Sequence, residues 1–216
     1  MTNSRKRTVR AVVMFIGALI TGASIISACG SARYPAYYTL HFEPSTLAPA
    51  ARRGMGTLSI KDLRCPEYLC EGRIVYRPTP DEVGFYQYHR WAVSPRAMVA
   101  PYLAERVRTR SLFTSVSEDE SRIAADFVLS GTLERLEEVD DDRDVAAVCT
   151  ISAQVLDTRT SVVVWRRTAT ERVAVEQRDV VGVVKGLETA ARASVNRLVT
   201  DMELELRRGA GLGDLR

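Results

Sequence analysis

Four cysteines and two histidines hold most of the capacity for nucleophilic or metal chemistry in this 216-residue chain. Cys29 follows Ile26-Ser27-Ala28 and precedes Gly30. Small residues at 27 and 28 let a peptidase approach the backbone, and the thiol at 29 is a nucleophile able to take up a diacylglyceryl group. Cleavage before Cys29 would free its amine for a further acyl chain. Two or three chains anchor a protein stably, whereas one binds only marginally. Cys65 and Cys70 enclose Pro66-Glu67-Tyr68-Leu69. They either close a small loop as a disulfide or stay as two thiols. Closing so short a loop restricts little chain and stabilises modestly. Cys149 sits in the strand-like run Ala146-Ala147-Val148-Cys149-Thr150-Ile151 and reads as core.

Other chemistry finds no pattern. His41 and His89 are far apart, and no second Cys or His pair stands beside Cys65 and Cys70, so no zinc site is expected. No HExxH, GxSxG or P-loop pattern occurs. Asp140, Asp142 and Asp144 have the first spacings of a calcium loop, but Val145 and Ile151 occupy the places of its glycine and last glutamate. The acidic run Glu137 to Asp144 therefore reads as an exposed hairpin tip whose charges discourage pairing with other chains. Gly209 to Gly213 follows a helix instead of opening one and reads as part of a disordered tail, 208–216. No catalytic residue, metal ligand or cofactor is assigned, and the chain is not expected to be an enzyme.

Charge explains the N-terminus. The formal net charge is +3. Arg5, Lys6, Arg7 and Arg10 lie in residues 1–28, which hold no acid, so the remainder carries about −1. The basic balance belongs to that segment and gives no footprint for nucleic acid. An apolar run from Ala11 to about Ile26 follows. Basic start, apolar core and small residues before a cut site define a secretory signal peptide over 1–28. The alternative is an uncleaved membrane helix, since about 18 apolar or small positions approach the length of a span. The cysteine at the cut site decides for cleavage. Ile26-Ser27-Ala28-Cys29 looks like a lipobox, the recognition site of bacterial lipoprotein processing. By resemblance to the sorting rule of enteric bacteria, Gly30 in place of Asp favours the outer membrane.

Export implies an oxidising compartment. With 46% hydrophobic and 26% charged residues, the chain has enough apolar side chain for one packed domain. Residues 29–57 read as a lipidated tether, with a short strand at Tyr37 to Leu40. Strands are expected at Leu58 to Leu63, Gly72 to Arg77, Val83 to Tyr88 and Phe113 to Val116. Ser94-Pro95 opens a helix with Ser94 as N-cap; Pro101 implies a kink or a later start. Asp126 to Glu138, Val145 to Leu156 and Ser161 to about Val173 form an antiparallel meander, its last turn at Asp157 to Thr160. A helix from Arg178 to Arg207 carries an apolar stripe of Val181, Val184, Leu187, Ala191, Ser194, Leu198 and Met202. The fold class is α+β: an antiparallel or mixed sheet with two helices on one face, over residues 58–207.

Four stretches carry a family resemblance: Ile74-Val75-Tyr76-Arg77, the block Tyr86-Gln87-Tyr88-His89-Arg90-Trp91-Ala92-Val93-Ser94-Pro95-Arg96-Ala97-Met98-Val99, Ala125 to Gly131, and Val164-Trp165. With Tyr38-Thr39-Leu40 after the cysteine, they resemble the auxiliary lipoproteins of ABC-type lipid transport systems. The Cys65–Cys70 loop and the acidic tip depart from that pattern. The resemblance implies a membrane-tethered partner of an MCE-domain protein, with a permease and an ATPase in the inner membrane, and no covalent chemistry. A homo-oligomer is compatible with it. The alternative is a scaffold or activator lipoprotein of another envelope machine, in secretion or cell-wall synthesis, because fold alone does not separate the two. Trp91, Tyr86 and Tyr88 are either a partner surface or core packing; His89 and Arg90 are expected to face solvent.

Overall fold

Eight strands and three helices follow the chain in the computed structural model, which describes residues 34–44, 54–118, 125–141 and 144–209. Residues 1–28, expected to be a signal peptide, the expected lipidation site Cys29 and residues 210–216 lie outside these ranges. The strands are β1 (Ala36–Tyr38), β2 (Thr57–Ile60), β3 (Arg73–Thr79), β4 (Glu82–Trp91), β5 (Ser115–Ser117), β6 (Phe127–Asp141), β7 (Asp144–Asp157) and β8 (Val162–Ala174). The helices are α1 (Glu67–Cys70), α2 (Pro95–Thr109) and α3 (Val180–Gly209). The described residues from Pro35 onward belong to one compact unit.

The meander β6–β7–β8 is the backbone of the sheet, and alternation explains its two faces. Leu129 pairs with Val155 and Leu133 with Ile151, while Ser130 pairs with Gln154 and Thr132 with Ser152. Side chains on a strand point alternately to opposite faces, so one face is apolar and the other is polar. An irregularity between Leu133 and Arg135 shifts the phase by one and keeps Leu136, opposite Cys149, on the apolar side. At the last turn, Asp157 Oδ1 accepts from Arg159 N–H (2.9 Å) and Thr160 N–H (3.2 Å), the local bond that makes Asp a turn residue.

Helix α3 covers the apolar face. Val183, Leu187, Ala190, Ala191, Ser194, Leu198 and Met202 are buried, whereas Val181 is 48% exposed and lies off the expected stripe. Asp179 Oδ1 accepts from Gly182 N–H (2.7 Å) at its start, and Arg207 and Arg208 stand in its last turn, where cations suit the helix dipole. Ser194 Oγ donates to Cys149 O (3.0 Å), which satisfies a hydroxyl buried in the core. Helix α2 packs beside α3, with Tyr102 stacked on Phe42 at 4.4 Å. It runs unbroken through exposed Pro101, where solvent can meet the carbonyl that loses its amide partner. Ser94 precedes it but makes no side-chain capping bond; Pro95 at the first position fixes the start instead.

The sheet is mixed because one edge of β6 is shared. Residues Leu58 to Ile60 of β2 lie parallel to Phe127 to Leu129, and Val75 to Arg77 of β3 lie parallel to Glu137 to Val139. Between them Arg64 bridges to Thr132, and α1 then leads the chain to β3. Strand β4 pairs with β3, β1 pairs parallel to the end of β4, and β5 pairs with β2. No described helix is long and apolar enough to cross a membrane.

Candidate functional site

Parallel pairing of β3 with β6 and antiparallel pairing of β3 with β4 gather the chain's polar and aromatic groups at one end of the sheet. Glu137 and Glu138 belong to strand β6, and both are buried, at 0% and 9% exposure. The expectation that they form part of an exposed tip is therefore wrong. Only the residues beyond them lie at the turn, where Asp140 is exposed. The two carboxylates point to opposite faces and meet different partners.

On the polar face, Glu137 is clamped by two guanidinium groups. Arg77 donates from Nε to Oε1 (3.0 Å) and from Nη2 to Oε2 (3.2 Å), and Arg135 donates from Nε to Oε1 (2.6 Å). A two-point fork on a carboxylate is the strong form of this bond. The hydrogen bond that Arg77 donates to Glu137 raises the arginine's pKa above its usual value. Tyr68 of α1 lies beside the cluster, and burial, then the charge of Glu137, raises its hydroxyl pKa.

On the helix-covered face, Tyr86 Oη donates to Glu138 Oε2 at 2.5 Å. Burial, and then that bond, pushes the Tyr86 pKa far above the phenol range. Burial also raises Glu138, against the opposing pull of the Tyr86 hydroxyl. Tyr86 packs edge-on against Tyr76 (5.4 Å between centroids) and His89 (5.8 Å). Tyr38 Oη is 2.9 Å from His89 Nδ1. His89 is therefore half-buried in an aromatic corner instead of facing solvent, whereas Arg90 is exposed. Trp91 is 3% exposed and is core; Tyr86 is half-buried, and Tyr88 is at the surface with 36% exposed.

A third polar device ties β2 to β6. Thr57 N–H and Oγ1 donate to Asp126 Oδ2 (2.9 and 3.0 Å), and Asp126 N–H donates back to Thr57 Oγ1 (3.0 Å). The Thr57 backbone bond, then its hydroxyl, holds the Asp126 carboxyl below the usual carboxylate range. The sulfurs of Cys65 and Cys70 are joined, with Cα atoms 6.0 Å apart, at the two ends of the turn that carries α1. Burial pushes the Cys149 thiol up to about 12, far from the reactive thiolate form. Among the described residues, no group of three or more His, Cys, Asp or Glu could hold a metal ion.

The sequence patterns did not disclose these contacts, because Arg77 lies 60 residues from Glu137 and Tyr86 lies 52 from Glu138.

These clusters spend their charge on fastening strands in an α+β domain whose two long helices, α2 and α3, pack together and whose sheet is mixed. The chain belongs to the family of ABC-type transport auxiliary lipoprotein components, whose model matches residues 38–199. A protein of the DUF330 family from Xanthomonas campestris has a similar structure, with a TM-score of 0.69 and 20% identity over 82% of this chain and 99% of that one. A second solved structure, of an uncharacterized protein, gives a TM-score of 0.61 at 13% identity over 78% and 99%. A hypothetical protein from Chlamydia trachomatis gives 0.50 at 8% identity over 70% and 97%. At these identities the likeness is one of fold. No curated protein matches the chain.

Proposed function

We propose that this chain is the acylated, envelope-anchored accessory subunit of an ABC-type lipid transport system whose partner is an MCE-domain protein. In this reading residues 1–28 are removed, Cys29 carries the acyl chains, and the domain faces the periplasm, with the outer membrane favoured as its anchor. It binds and docks without turning over a substrate. The observation that carries the proposal is the family match, which begins at Tyr38, a short tether beyond Cys29 in its lipobox-like context. The buried ion clusters support a docking role: Glu137 is fully occupied by Arg77 and Arg135 and is unavailable to a substrate.

The test is co-purification of the full chain, extracted in mild detergent from its own bacterium. An MCE protein, a permease and an ATPase are expected in the complex. Recovery of a secretion or cell-wall-synthesis machine in their place would defeat the transport role and favour the scaffold reading.

A further inference from the structure

Where β6 exchanges β2 for β3, the polar face of the sheet opens into a cleft. The segment 61–64 closes its near side. Lys61 N–H donates to Leu129 O (2.9 Å), Arg64 N–H donates to Gly131 O (3.0 Å), and Leu133 N–H donates to Arg64 O (2.8 Å). The cleft has a volume of about 460 Å³, with Lys61, Asp62 and Arg64 on one side and Val128 and Leu156 at its apolar end. A smaller recess of about 100 Å³ continues it and shares Arg64, Ser130, Gly131 and Gln154 with it. Thr132, Ser152 and Arg166 line that recess. The size suits a small polar ligand.

Three cations and one carboxylate surround a floor of hydroxyl groups. Arg166 is fixed by a neutral partner: its Nε (3.0 Å) and Nη2 (2.6 Å) both donate to Gln154 Oε1. That amide orients the guanidinium without neutralising it. The backbone of Arg64 is fastened on both sides, so its position is set before any ligand arrives. Among the described residues, neither Arg64 nor Lys61 has an ion-pair partner. The contrast is with Arg77, Arg135, Arg167 and Arg197, each of which meets a carboxylate. Planar guanidinium forks match phosphate oxygens, and serine and threonine hydroxyls add donors.

We propose that this cleft binds a phosphate group bearing a nearby amine, with the phosphate between Arg64 and Arg166 and the amine at Asp62. The headgroup of an aminophospholipid and a free phosphate share the first half of that chemistry. The choice of the lipid headgroup rests on the transport reading above; the phosphate site does not.

The purified full chain, in a non-ionic detergent at fixed ionic strength, is titrated by calorimetry with glycerophosphoethanolamine and with inorganic phosphate. The double substitution Arg64→Ala with Arg166→Ala should weaken both ligands about tenfold or more, the loss expected for charged hydrogen bonds. Its melting temperature should not change, since both side chains are exposed. If it does fall, Arg166→Gln alone should still weaken both ligands. Asp62→Asn should weaken the headgroup and spare inorganic phosphate. Equal affinity for the two ligands, with no effect of Asp62→Asn, would overturn the amine assignment and leave free phosphate as the occupant. No binding of either at millimolar concentration, or binding untouched by loss of the arginines, would overturn the site. Either result is read apart from co-purification, so the transport reading stands or falls separately.

Discussion

Residue by residue, the most informative departure from expectation is the pair Glu137 and Glu138. A run of acids at the end of a strand reads as solvated because charge is costly to bury. Here each carboxylate is supplied with its partner by a strand far away in sequence, which local composition does not reveal. The two sites should respond differently to mutation. Arg77→Met leaves Glu137 buried with Arg135 alone and should cost about 3 kcal/mol, since breaking a buried pair strands a charge. Glu137→Gln leaves arginines that can reach solvent and should cost less, about 2 kcal/mol. Urea midpoints of the two variants check the order; equal losses would mean that Glu137 is solvated after all. Glu138 makes a prediction in pH. Burial raises its folded-state pKa above the ordinary 4.5, so the folded state favours the protonated form. Its stabilising share is complete below the ordinary value and is lost as pH rises through the raised one. Glu138→Gln keeps an acceptor for Tyr86 Oη and cannot ionise. Wild type should therefore lose stability relative to that variant as pH climbs from 4 to 8, measured as the difference in urea midpoints; parallel curves would contradict the burial effect.

Elements were legible in proportion to how local their pairing is. The hairpins β6–β7 and β7–β8 and helix α3 follow from alternation, turn chemistry and a three- and four-residue apolar step, all contained within short windows. The parallel pairings of β2 and β3 with the same edge of β6 were not legible. Alternation tells which face a strand buries, but not which strand lies beside it. Helix α1 was missed because a single turn between Pro66 and Glu71 has too few residues for a period. The Cys65–Cys70 bond encloses it, and closing so small a loop should be worth about 2 kcal/mol. Cys65→Ser with Cys70→Ser should lower the unfolding free energy from urea titration by that much, and added reductant should then do nothing further, because Cys149 is a buried thiol. Close packing makes a second prediction. A side chain at Gly186 would meet Ala147 Cβ at 2.9 Å and Val175 Cγ2 at 3.2 Å. Gly186→Leu should push α3 off β7 and destabilise by about 1–3 kcal/mol, despite leucine's better helix propensity. A gain in melting temperature would show that the helix does not lie this close to the sheet.

At the scale of the whole molecule, fold and location are separable. Among the described residues, the buried core runs from Leu40 to Leu206. Apolar burial supplies the main drive to fold, so a domain with this core should be stable whether or not Cys29 is acylated. Anchoring, by contrast, is set by hydrocarbon: each buried methylene adds about 0.8 kcal/mol, and two or more chains are needed to hold a protein on a bilayer. Cys29→Ala should therefore leave the leader uncut, abolish incorporation of labelled palmitate, and keep the urea midpoint of the folded domain unchanged. A second form, exported by a leader that is cut without lipidation, should be soluble in the periplasm and fail to restore lipid transport in a strain lacking the gene. Palmitate label on the Cys29→Ala protein would remove the anchor from residue 29. Full complementation by the soluble form would show that this domain docks on its partners by affinity alone, with the bilayer tether dispensable.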